Sequence, residues 1–167
     1  MEEKKYDVDA VKHRLIAYRE REKDIDNQIE RHELLSQKMI SIGSPTLSDM
    51  PKAVSPTHDK IANMVAMKME LEESIRADVQ KQSEERKEIE EILKHLKKSD
   101  EKAVIRMRYL DGVSWNDVVD MIFGGKEDFL GKEDTYLRRV HKIHGSALLN
   151  MAIYIDGLQN QDNTPTS

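Results

Sequence analysis

Arg138, Arg139 and Lys142 are the residues of this chain best suited to chemistry with a partner. Arg138 and Lys142 stand one helical turn apart with Arg139 beside them, and positions 135–151 hold these three basic side chains and no carboxylate among them. On a helix laid in the major groove, arginine can donate two hydrogen bonds to guanine, whereas lysine supplies a mobile point charge to phosphate. Hydroxyl side chains also contact DNA, which makes Thr135, Tyr136 and Ser146 secondary candidates; Tyr136 suits packing at the helix start equally well. Charge alone favours a plainer reading, in which three basic residues solvate an exposed helix face. The segment preceding them reverses that preference.

Other chemistries find less support. His141 and His144 are three residues apart, but no cysteine or nearby acidic residue completes a metal-ligand set. Gly124-Gly125-Lys126 and Gly131-Lys132 lack the spacing and the hydroxyl of a phosphate-binding loop. Carboxylates are numerous, and on long helices their ordinary role is solvation. The sequence therefore leads us to expect no enzyme, no metal and no cofactor.

The preceding segment runs Asp111-Gly112-Val113-Ser114-Trp115-Asn116-Asp117-Val118-Val119-Asp120-Met121-Ile122. Asp-Gly favours a turn, because glycine accepts a positive φ without steric cost. Ser114 can cap a new helix, with Asp117 at the reciprocal position of a capping box. Trp115, Val118, Val119 and Ile122 share one side of a 3.6-residue period and are candidate core. Before the turn, Ala103, Val104, Met107 and Leu110 pattern a helix starting at Ser99-Asp100. After it comes a glycine-rich connection over 123–132, longer than a minimal helix-turn-helix turn. A last helix follows from Thr135 to about Tyr154, with Val140, Ile143, Ala147, Leu148 and Met151 expected to pack against the Trp115 and Val119 face. These elements predict a small trihelical, helix-turn-helix-like domain over 99–154. The polar stretch 155–167 reads as a flexible tail.

The part before it, 7–98, predicts two long helices. In the first, Val8, Val11, Leu15, Tyr18, Ile25, Ile29 and Met39 alternate by threes and fours, interrupted at Glu22, His32 and Ser36. Pro45, Pro51 and Pro56 with several serines mark a connector over 43–56. From Thr57 to Lys98 the stripe continues as Ile61, Met64, Leu71, Ile75, Ile89, Ile92, Leu93 and Leu96, weakened by Lys68, Gln82 and Arg86. Such helices have little core of their own and need a partner. The expected fold is all-α: a long coiled-coil-like helical pair, closed within the chain or across a homo-oligomer, followed by the trihelical unit.

Composition sets the limits. The 167 residues include 27 basic and 32 acidic side chains, a formal charge of -5, so any attraction to nucleic acid must come from a local patch. No cysteine is present, which suits a reducing compartment and removes disulfides and thiolate chemistry. With no apolar run of membrane-spanning length and no leader pattern, a cytoplasmic protein, associated with the nucleoid when bound to DNA, is expected.

Three stretches also carry a resemblance: Ala103-Val104-Ile105-Arg106-Met107-Arg108-Tyr109-Leu110-Asp111-Gly112, Ser114-Trp115-Asn116-Asp117-Val118-Val119, and Arg139-Val140-His141-Lys142-Ile143-His144-Gly145-Ser146-Ala147-Leu148. With Asp49-Met50-Pro51 ahead of a long helix, they resemble the RinA/ArpU-like late regulators of phages and prophages of low-GC Gram-positive bacteria. They are also similar to the promoter-reading carboxy-terminal domain of sigma factors. The resemblance implies a DNA-binding transcriptional regulator, often an activator of late genes. Its last helix would face double-stranded promoter DNA, with Arg138, Arg139 and Lys142 in the recognition region and RNA polymerase as a further candidate partner. The 123–132 connection departs from the compact sigma-like turn. A phage DNA-packaging or virion-assembly protein, and a noncatalytic helical adaptor, are the competing expectations.

Overall fold

The computed structural model describes residues 6–43 and 57–162, all of whose regular elements are helical. Helix α1 spans Val8–Gly43, α2 Thr57–Lys94, α3 Ser99–Ile105, α4 Trp115–Phe123 and α5 Glu133–Asp162. A π-helical turn, Arg106–Leu110, continues α3. The proline-containing connector expected over 43–56 lies outside the described residues except for Gly43, the last residue of α1. Of the tail expected over 155–167, residues 155–162 continue α5, and the rest is not described.

The chain divides into two compact units, Met1–Glu20 with Glu84–Ser167, and Arg21–Ser83. The sequence suggests a division near residue 98 instead. Both long helices contribute to the first unit because their densest apolar stripes lie there. Val11, Leu15 and Tyr18 of α1, four and three residues apart, meet Ile89, Ile92 and Leu93 of α2 and Leu96 just beyond its end. Ile105, Tyr109, Leu110, Ala147, Leu148, Met151 and Ala152 close this core. A second core in the same unit joins Val104, Val118, Val119, Phe123, Phe129, Tyr136 and Val140. Adjacent residues on α3, Val104 and Ile105, thus feed different cores.

Helix α5 serves both cores, which corrects one expectation. Val140, with the half-buried Ile143, packs beside α4, but Ala147, Leu148 and Met151 join the α1–α2 core instead of the Trp115 face. The reason is reach: at 1.5 Å per residue, the nine residues of α4 are outrun by the 30 of α5.

In the second unit α1 and α2 pack antiparallel. Gln28 Nε2 donates to Asp78 Oδ2 (2.8 Å), and His32 Nε2 donates to Glu72 Oε1 (2.7 Å), so α2 numbers fall as α1 numbers rise. Ser36 turns its hydroxyl back to His32 O at 3.0 Å. Two of the polar interruptions are therefore a cross-helix pair and a local bond. Among the described residues of this unit only Ile25 and Leu71 are buried hydrophobics.

Candidate nucleic-acid interface

The turn before α4 forms as its residues require. Gly112 has φ +70°, and Ser114 caps α4 by accepting from the Asp117 N–H at 3.2 Å. Asp117 does not close a reciprocal box onto the Ser114 amide; its Oδ2 accepts from the Ser114 hydroxyl at 2.6 Å. Upstream, the Asp111 N–H reaches Arg106 O at 2.9 Å, the i→i+5 bond of the π-helical turn. Three arginines then cover carbonyls left around the turn: Arg86 donates to Leu110 O (3.0 Å), Arg19 to Gly112 O (3.3 Å) and Arg108 to Val113 O (3.0 Å). Unmatched carbonyls would otherwise carry a desolvation cost.

The connector between α4 and α5 is held by side chains that sequence periodicity does not flag. Phe129 is buried against Tyr136, their ring centroids 5.6 Å apart, and Phe123 lies 4.9 Å from the same tyrosine. Asp128 accepts from Lys132 Nζ at 2.8 Å and from the Tyr136 hydroxyl at 2.6 Å. Those partners, Lys132 foremost, hold the Asp128 carboxyl down at about 2, and Asp128 in turn pushes the Tyr136 hydroxyl up. These contacts set where α5 begins.

On α5 the expected DNA-contact residues separate. Arg138, Arg139, Lys142 and Thr135 are exposed. Among the described residues Arg138 and Lys142 have no ion-pair partner, while the Arg139 guanidinium lies over the Phe123 ring at 5.1 Å. Tyr136 and Ser146 leave the set. Tyr136 is buried with its hydroxyl committed to Asp128, and Ser146 is half-buried and donates to Glu101 Oε1 at 2.6 Å. Glu133 and Asp134 occupy the first turn, where carboxylates suit the amino-terminal end of the helix dipole. The positive edge therefore begins one turn later, at Arg138.

The expected core residues also divide. Val118, Val119, Val140 and Leu148 are buried, whereas Ile122 and Ile143 are half-buried. Trp115 is only half-buried as well, because its ring borders a polar group of neighbours. Arg108 lies 4.9 Å from its centroid, His141 4.7 Å and His144 5.0 Å. His144 is buried, 3.0 Å from the Tyr109 hydroxyl. Burial, reinforced by the charges of His141, Lys12 and Arg108, pushes His144 down to about 4, so it is neutral near pH 7. Among the described residues no group of three histidines or carboxylates is placed to hold a metal ion.

Sequence reading did not anticipate Glu101, buried beneath α5, nor Arg108 beside the tryptophan. The visible signal for Arg108 was the Arg106-Met107-Arg108 run, whose two arginines part ways: Arg106 binds both oxygens of Glu90, while Arg108 turns to the α4 turn.

Residues 55–135 match a family model described as "Protein of unknown function (DUF1492)". The matched span covers the π-helical turn, α4 and the connector, and stops before Arg138. Comparison with curated proteins and with solved structures gives no significant match. No described helix is long and apolar enough to cross a membrane.

Proposed function

We propose that this chain is a sequence-specific DNA-binding transcriptional regulator, an activator of phage or prophage late genes, with α3, α4 and α5 acting as a helix-turn-helix-like unit. Helix α5 is its recognition helix. One observation carries the reading: in a chain of net charge -5, α5 exposes Arg138 and Lys142 one turn apart, without ion-pair partners among the described residues. Side chains free of counter-charges can exchange water and counterions for phosphates and base edges. The opposite side of α5 is anchored to α3 and α4, which supports the rigid presentation that base reading requires.

The second unit supports a companion role in self-association, with α1 and α2 forming a coiled-coil-like pair. It buries few apolar side chains and leaves Ile29, Leu34, Ile40, Met69 and Val79 exposed. A homodimer would cover such a surface and place two reading helices on one DNA site. RNA polymerase is a further candidate partner of such a regulator, and the role needs no catalysis.

The test is direct binding of late-promoter fragments and matched nonpromoter DNA over a range of salt. Selective binding by the parent, lost in the combined Arg138→Ala, Arg139→Ala, Lys142→Ala variant, supports the proposal. Equal and steeply salt-dependent binding to both DNAs favours packaging or another nonspecific role. Wild-type affinity in the triple variant refutes the assignment to α5. No binding at low salt turns the reading to a helical adaptor.

A further inference from the structure

Arg19 and Arg108 reach one turn from two different elements. Their guanidinium groups donate to the carbonyls of consecutive residues, Gly112 and Val113. Each of these bonds uses one of a guanidinium's five N–H donors. Among the described residues neither arginine has a carboxylate partner, in contrast to Arg86, paired with Asp111, and Arg106, paired with Glu90. Burial, and then the Arg19 charge, hold Arg108 below the usual guanidinium range against the opposing pull of Tyr109, and no carboxylate is among the groups that act on it.

Lys12 extends the same positive region. It is exposed on α1, and its charge acts on His144 together with those of His141 and Arg108. The His141 ring lies tilted against Trp115 from α5, three residues after Arg138 and next to Lys142. The patch is thereby continuous with the basic edge of α5. Like charges held together without counter-ions repel one another, and an arriving anion relieves that repulsion.

We infer that Lys12, Arg19 and Arg108 form a phosphate-binding extension of the α5 surface, through which the start of α1 grips the DNA backbone beside the turn before α4. This rests on the DNA-binding reading and adds contacts from a helix outside the trihelical unit. Arginines fixed to backbone carbonyls are suited to register and affinity, which phosphate contacts supply, and leave sequence reading to α5.

The experiment measures duplex affinity of the full chain against salt for the parent, for Lys12→Ala, and for Lys12→Ala combined with Arg19→Gln. Glutamine retains an amide donor for Gly112 O while removing the charge. Each lost phosphate contact lowers the slope of log affinity against log salt by about 0.9 for B-DNA, so the expected decreases are about 0.9 and about 1.8. Promoter and nonpromoter DNA should weaken by the same factor. Trp115, the only tryptophan, should change its emission when the parent binds DNA. The free variants' emission and circular dichroism establish that they are folded. Unchanged slopes in folded variants, with a parent that binds, overturn this inference and leave the α5 assignment standing. A parent that binds neither DNA at low salt overturns both.

Discussion

Removing the Glu101 carboxylate should loosen the seat of α5 and of its basic edge. This side chain is 1% exposed, and it joins α3 to α5 by accepting from Ser146 Oγ at 2.6 Å and Asn150 Nδ2 at 2.9 Å. Lys98 Nζ approaches to 3.5 Å. Charge-assisted hydrogen bonds contribute about 1.5–3 kcal/mol each, so the two short ones have a gross worth of about 3–6 kcal/mol. Desolvating the carboxylate offsets part of this, and the half-buried Ser146 and Asn150 can recover some bonding from water once it is gone. The net cost of Glu101→Ala is then about 2–4 kcal/mol, and of the isosteric Glu101→Gln about 1–2 kcal/mol. With a urea slope of about 2 kcal/mol per molar, the alanine variant should unfold at roughly 1–2 M less urea than the parent. The pH dependence supplies an independent check. Burial pushes the Glu101 carboxyl up, but bonds from Ser146 and Asn150 and the Lys98 charge bring it net below 4.5. A carboxyl lowered in the folded state stabilises above its unfolded pKa and loses that contribution as pH falls through the folded value. The gap between parent and Glu101→Gln should therefore be full near pH 6 and narrow below pH 4.5. An alanine variant with the parent's urea midpoint, or a gap that widens in acid, would refute this reasoning.

Trp115→Ala should cost about 1.5–3 kcal/mol, less than the roughly 3–5 of a fully buried aromatic, because Trp115 is only partly buried; urea unfolding followed by circular dichroism measures it, and a loss above about 4 kcal/mol would contradict that placement. Asp128 should titrate at about 2, its stabilising contribution present above pH 3.8 and lost as pH falls toward 2; Lys132→Ala should move the carboxyl upward, and an unchanged midpoint by carbon-13 shift would exclude Lys132 as the main cause. The 167-residue chain should scatter light as a dimer, whereas a monomer at high micromolar concentration would reject self-association through the exposed apolar residues of α1 and α2.

Local chemistry made much of the secondary structure legible in the sequence. The positive φ of Gly112, the Ser114 cap and the three-and-four spacing of Val11, Leu15 and Tyr18 depend on groups a few residues apart, within reach of residue type and helical period. The same local chemistry picked out an exposed edge at Arg138 and Lys142. It could not separate Tyr136 from Arg138, or Ser146 from Lys142, because which side of α5 is covered depends on Phe129, Asp128 and Glu101, which approach from other elements. Nor could it show that Leu148 leaves the Trp115 face for α1 and α2, or that Arg19 and Arg108 meet at one turn across 89 positions of sequence. Periodicity assigns a residue to a face of its own helix; what that face meets is decided by packing between segments distant in sequence, where burial, hydrogen-bond matching and charge separation must be satisfied together.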